Sequence, residues 1–218
     1  MAGPSCSCCY DVEFDDRIAQ REVREYHRSG PRRATRALAE ALAGGGASGL
    51  TVLDIGGGIG ALHHLLLQGG AVAAVDVDAS GPYLAAAGAE AQRLGLAERV
   101  TLVHGDFVAM APTIEAADVV ALDRVVCCYP DVEALVGAAA AHARRRLGIV
   151  VPPDGRVGRL AAVAINLWQR VLRSALRMHA HSHATIARAA ARGGLEWTVT
   201  RRVGVWRLLV FERPQAGG

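Results

Sequence analysis

Residues 50–60 read LTVLDIGGGIG, and the fold turns on this stretch. Val52, Leu53 and Ile55 are apolar, and β-branched side chains favour an extended backbone, so 51–55 reads as a buried strand. It runs into a glycine-rich turn. Gly56, Gly58 and Gly60 stand where a side chain would block close approach of a ligand to the backbone. Asp54 lies near the strand's carboxyl end, the edge at which open α/β sheets bind ligands.

Two cofactor classes compete for such a turn. Gly56, Gly58 and Ala61 satisfy the dinucleotide fingerprint G-x-G-x-x-G/A, which keeps a nicotinamide-dependent oxidoreductase open. The pattern Asp54-x-Gly56-x-Gly58-x-Gly60 resembles the first motif of the class I S-adenosylmethionine-dependent methyltransferases, the reading preferred here. That resemblance implies that Asp54 organises the amino-acid end of the cofactor while the glycines let the backbone run beside it.

Composition narrows the classes further. A chain of 218 residues, 51% hydrophobic and 21% charged, suits one α/β domain with an ample core. All 24 basic residues are arginine, which excludes a Walker A lysine, a Schiff-base lysine and a lysine nucleophile. A net charge of +3 is too small to argue for nucleic acid. Residues 1–10 lack the basic start and apolar middle of a secretory signal, and no apolar run is long enough to span a bilayer. A cytoplasmic location is expected. Five cysteines, Cys6, Cys8, Cys9, Cys127 and Cys128, argue by their odd number against a disulfide framework. Cys6, Cys8 and Cys9 have thiolate chemistry suited to a soft metal or metalloid but not the spacing of a zinc ribbon. A non-catalytic cysteine-rich binding protein on the same fold is therefore a third reading, and no metal site is assigned.

Upstream of the glycine turn, residues 14–29 read as a charged helix with Phe14, Ile18, Ala19, Val23 and Tyr26 inward. Ser29-Gly30-Pro31 breaks it, and 32–43 follows as a second helix. The family resemblance implies that residues 1–45 form an N-terminal helical lid over the cofactor, where Tyr10, Phe14 and Tyr26 either touch substrate or, the commoner role, simply pack.

Downstream, 61–68 is a buried helix and 71–77 the second strand. Asp76 and Asp78 share one face of it. The family resemblance implies that an acid ending this strand binds the ribose hydroxyls. Asp78 is the first choice and Asp76 the fallback. After the third strand, 99–104, Gly105-Asp106-Phe107 resembles the family's adenine-site turn, with Asp106 accepting the amino group and Phe107 covering the ring.

Strand four, 117–122, leads into LDRVVCCYPD, residues 122–131. This run resembles a small bacterial branch of the same methyltransferases whose members also carry an N-terminal cysteine cluster. Residues 132–146 read as a helix whose Arg144-Arg145-Arg146 end suits the helix dipole, and 147–151 as strand five. Next, 158–178 shows a helical stripe of Leu160, Val163, Ala164, Leu167, Trp168, Val171, Leu172 and Leu176. It is read as an inserted cap, 158–183, packed over the substrate pocket, although a basic amphipathic helix can also lie on an anionic membrane. His179, His181 and His183 alternate in the following loop, and one of them can reach the pocket as a general base. A helix, 184–192, and an antiparallel pair, 195–202 and 204–212, complete the chain.

The expected architecture is α/β: a Rossmann-like, seven-stranded, mostly parallel sheet with an antiparallel last strand. A helical lid covers residues 1–45, and a cofactor-binding domain covers 46–218 with its inserted cap. The resemblance implies methyl transfer from S-adenosylmethionine to a small-molecule acceptor by in-line displacement. The inserted cap also resembles that of the Mg-protoporphyrin O-methyltransferases, so a large flat carboxylic substrate is a variant of the same reading. Cofactor contacts are expected from Asp54, Gly56, Gly58, Gly60, Asp78, Asp106 and Phe107. Asp123, Tyr129 and His181 are the candidate catalytic residues by position. No nucleic-acid or integral-membrane partner is expected, and a homodimer stays open.

Overall fold

A computed structural model describes residues 13–171 and 177–214. Cys6, Cys8, Cys9 and Tyr10 lie outside the described residues, as do Leu172 and Leu176 of the apolar stripe.

Seven strands form one sheet in the order β3-β2-β1-β4-β5-β7-β6. They are β1 (Thr51–Ile55), β2 (Ala73–Asp78), β3 (Val100–His104), β4 (Ala117–Asp123), β5 (Ala143–Val151), β6 (Glu196–Val203) and β7 (Trp206–Glu212). The first five pair in parallel. β7 runs antiparallel to both β5 and β6. This is the expected architecture. It differs from the dinucleotide-binding order 3-2-1-4-5-6 because β7 inserts between β5 and β6.

Side chains alternate across a strand, so each strand of a sheet covered on both sides feeds two cores. Val52 of β1 packs on one face with Leu38 and Leu42 of α2 (Arg33–Ala43) and Leu62, Leu66 and Leu67 of α3 (Ala61–Gln68). Leu53 packs on the other with Leu135 and Val136 of α6 (Val132–His142) and Ile186 of α8 (His183–Arg192). Between them come α4 (Gly81–Arg93) and the single turn α5 (Phe107–Met110).

The first helix, α1 (Asp16–Ser29), is capped by Asp15, whose side chain accepts the Ile18 N–H. Its inner side is the expected one. Ala19 is buried, and Phe14, Ile18, Val23 and Tyr26 pack on Ile59 and Tyr83. The second helix, α2, buries Leu38 and Leu42 completely against the sheet.

Two sequence expectations are corrected here. The arginine triplet does not end a helix: α6 stops at His142, and Arg144–Arg146 belong to β5. Tertiary pairing overrides the helical reading, because Arg146 faces Glu212 across the β5–β7 ladder and its Nε donates to Oε1 at 2.8 Å. The inserted helix also differs. α7 (Gly155–Val171) lies between β5 and α8 as expected, but its apolar stripe points outward. Leu160, Val163, Leu167, Trp168 and Val171 are 63–71% exposed. Ala162 is buried, and the Asn166 side chain exchanges two hydrogen bonds with the Met178 backbone. Polar fastening thus holds α7 by the side opposite its apolar stripe.

Candidate active site

The carboxyl ends of β1, β2 and β4 open into a cavity of about 310 Å³. Its floor is the glycine turn. Gly56 has φ +67°, and a Cβ there would lie 2.6 Å from Val125 Cγ2. At Gly57 a Cβ would lie 2.5 Å from Asp76 Oδ1. Gly56 and Gly58 line the cavity. Gly60 is not among the lining residues. It precedes α3, where a Cβ would strike His63 and His64, so its small size serves helix packing.

Three carboxylates stand at the ends of β1 and β2 and have different tasks. Asp78 reaches the cavity. Its Oδ2 accepts the Gly58 N–H at 3.0 Å and its Oδ1 the Ser80 N–H at 2.8 Å. Each oxygen retains a further lone pair for a ligand hydroxyl. Burial raises the Asp78 pKa, and the two N–H donors oppose that shift. Asp76 is fully buried and does not line the cavity. It accepts the Gly57 N–H at 3.2 Å. Burial, with Asp54 and Asp78 nearby, pushes its carboxyl well above the usual range. Asp54 touches the cavity but is itself fully buried, with Oδ2 2.9 Å from His63 Nδ1.

Asp106 and Phe107 line the same cavity. Asp106 caps α5 through the Val108 N–H and receives the Tyr129 hydroxyl at 3.1 Å on each oxygen. Phe107 is buried and meets His142 edge-on. The proposed adenine-site residues are therefore tied directly to a proposed catalytic one.

Asp123 and Tyr129 both face the cavity. Asp123 Oδ2 accepts the Thr35 hydroxyl at 2.5 Å, and its two oxygens hold the Arg124 guanidinium at 3.1 and 3.2 Å. His181 does not line the cavity: its Nε2 is 2.9 Å from the Tyr129 carbonyl oxygen. The histidine loop thus meets the cavity wall through the Tyr129 backbone, whereas Asp123 and Tyr129 reach the cavity with their side chains. His179 and His181 stack on each other, and His183 turns to the Pro152 carbonyl. Among the described residues no group of three or more metal-ligating side chains converges.

α1 and α2 bring residues that the sequence did not single out. Glu22, Glu25, Arg32 and Thr35 join Phe14 and Tyr26 at the cavity. The Tyr83 hydroxyl donates to Glu22 at 2.7 Å. Burial and the Glu22 carboxylate raise the Tyr83 pKa beyond the ordinary phenol range. Arg124 was also missed. Among the described residues it is the one non-glycine with positive φ, at 66°, a conformation that non-glycine residues adopt at a cost and that clusters at functional sites. A local signal existed only for Arg124, in its place between a strand-end acid and an apolar turn. Glu22, Arg32 and Thr35 carry none, since solvated helix faces show the same residue types.

Cys128 lines the cavity beside Arg124, whereas Cys127 is buried behind it, with the sulfurs 3.9 Å apart. The contact from Cys127 lowers the Cys128 pKa, with Arg124 adding to the effect against burial.

A family model described as "Methyltransferase domain" matches residues 52–147. No curated protein matches the chain. Among solved structures, magnesium protoporphyrin IX methyltransferase from Synechocystis PCC 6803 with bound S-adenosylhomocysteine is 24% identical with a TM-score of 0.66, over 93% of this chain and 87% of that one. An O-methyltransferase family protein from Burkholderia thailandensis is 20% identical with a TM-score of 0.70, over 93% and 61%. A putative sarcosine dimethylglycine methyltransferase from Galdieria sulphuraria is 15% identical with a TM-score of 0.68, over 83% and 85%.

Proposed function

We propose, for a chain whose residues 52–147 match a methyltransferase-domain model and whose fold is that of class I S-adenosylmethionine-dependent methyltransferases, an enzyme that methylates a small molecule. One observation carries this reading. The glycine turn, Asp78, Asp106 and Phe107 share a single cavity with Phe14, Tyr26, Arg32, Arg124, Cys128 and Tyr129. The residues assigned to the cofactor and those left for an acceptor thus line one space.

The residues present fit S-adenosylmethionine. Gly56–Gly58 leave the backbone bare beside the cavity, Asp78 keeps lone pairs for the ribose, and Asp106 with Phe107 suits the adenine. Charge supports the same choice. Glu22, Glu25, Asp54, Asp78, Asp106 and Asp123 outnumber Arg32 and Arg124 around the cavity. Such a wall favours a cation bearing sulfonium and ammonium groups and disfavours the pyrophosphate of a dinucleotide.

When bound, the sulfonium supplies an electrophilic methyl carbon. The protein's work is to align the acceptor atom in line and to exclude water. Phe14, just ahead of α1, and Tyr26 within it perform the exclusion. Arg32 pairs with Glu22 and Glu25, and Arg124 with Asp123, so an acceptor carrying an acidic group would share these guanidinium groups with the carboxylates that hold them. If the acceptor arrives protonated, Asp123 is the carboxylate placed at the cavity to take the proton, and Thr35 and Arg124 hold it in position.

Calorimetry with S-adenosylhomocysteine and with NAD tests the cofactor. Binding of the first and not the second is expected, and the reverse would overturn the reading. Incubating the enzyme and methyl-labelled S-adenosylmethionine with fractionated small-molecule extracts then identifies the acceptor.

A further inference from the structure

We propose that the outward face of α7 is a docking surface for an anionic lipid bilayer, on which the helix lies in the membrane plane. The inference is independent of the methyl-transfer reading. Leu160, Val163, Leu167 and Val171 recur at helical spacing on one side, with Trp168 beside them, and all are exposed. Five large apolar side chains left in water on one side of a helix, each more than 60% exposed, are an interaction surface, since scattered single exposures are the ordinary case.

The occupant follows from charge. Arg156, Arg159 and Arg170 flank this stripe and are exposed. From Gly155 through Leu195 the sequence holds seven arginines and no Asp or Glu. A basic helix with an apolar side containing Trp is the pattern that inserts shallowly among headgroups, drawn by apolar burial and by attraction to anionic lipid. A second copy of this chain would set like charges against each other. The helix is also fastened correctly for the task. Asn166 bonds to Met178, and the His179 N–H donates to the Cys127 carbonyl at 2.7 Å. The apolar stripe is thereby free, while the helix remains joined to the cavity wall at Cys127–Tyr129. No helix among the described residues is long and apolar enough to cross the membrane, so the contact is superficial.

The test is co-sedimentation of the full chain with sucrose-loaded vesicles of phosphatidylcholine, with and without phosphatidylglycerol. The wild type is expected to pellet with the anionic vesicles, less so at high salt, and Leu167→Glu/Val171→Glu to bind about tenfold more weakly. Val205→Glu, at an exposed apolar residue remote in sequence, is expected to bind as the wild type does. A blue shift of tryptophan emission on binding, absent in Trp168→Phe, would place the helix in the headgroup layer. Arg156→Gln/Arg159→Gln/Arg170→Gln gives the same readout should the glutamates impair folding. Failure of the wild type to pellet with anionic vesicles at low salt overturns the proposal. So does unchanged binding by a folded variant, or a dimer in light scattering that Leu167→Glu/Val171→Glu converts to monomer without any vesicle binding.

Discussion

Asp78 Oδ2 accepts the Gly58 N–H at 3.0 Å, so the acid ending β2 and the glycine turn after β1 form one unit. Asp78→Asn keeps the side chain's shape but removes the charge. It is expected to weaken S-adenosylhomocysteine binding by about 1–3 kcal/mol, the scale of a charge-assisted hydrogen bond. Titration calorimetry checks this, and equal affinity would show that the ribose is held elsewhere.

Asp76 should behave oppositely. Its raised pKa means that the folded state prefers the protonated carboxyl. The stability this confers is complete below the unfolded value near 3.9 and is lost as pH rises through the raised folded value. Asp76→Asn mimics the protonated form at every pH. Its melting temperature should exceed the wild type's near neutrality, by a stability of about 1–2 kcal/mol, and the gap should close toward acid. Thermal melts across pH measure it.

His64 is fully buried, and neither ring nitrogen has a hydrogen-bond partner among the described residues. Burial, then the neighbouring His63, lowers its pKa to about 3. The unfolded chain therefore binds a proton below about pH 6.5 that the folded chain refuses, which costs about 1.4 kcal/mol per pH unit down to the folded value. His64→Leu abandons no hydrogen bond. It should flatten the acid limb of the stability curve by one proton, as denaturant melts at successive pH values would report.

Gly57 tests the turn itself. A Cβ at this position meets Asp76 Oδ1 at 2.5 Å, and the obstacle is a buried carboxylate that cannot swing away. Gly57→Ala is expected to displace the turn and lower S-adenosylhomocysteine affinity about tenfold or more, a loss of at least ~1.4 kcal/mol. Wild-type affinity in a folded variant would show that the turn has slack.

The Tyr129 hydroxyl spans both oxygens of Asp106. Tyr129→Phe removes a hydrogen bond worth about 0.5–1.5 kcal/mol and leaves the Asp106 carboxylate, still capping α5, less firmly oriented. A loss of cofactor affinity of that size is expected. His181→Ala, away from the cavity, should leave cofactor affinity unchanged.

Much of the fold was legible in the sequence because its determinants are local. β1 and its glycine turn declare themselves by an apolar β-branched run and by residues that only a bare backbone can replace. The inner side of α1 follows from helical spacing alone, whereas the antiparallel β6–β7 pair was expected from the family resemblance. What only the tertiary structure decided depends on partners distant in the chain. Arg144–Arg146 extend β5 because β4 and β7 supply ladder partners that outweigh local helix preference. Asp76 and Asp78 share a strand face, yet the turn after β1 closes over one and leaves the other at the cavity. Thr35 meets Asp123 across 88 residues, a contact without any periodic signature. The stripe of α7 was visible as a stripe, but periodicity states which residues share a side and not what that side faces. Its direction was set by Asn166 and Ala162, which bind the opposite side of the helix to the body and turn the apolar residues outward.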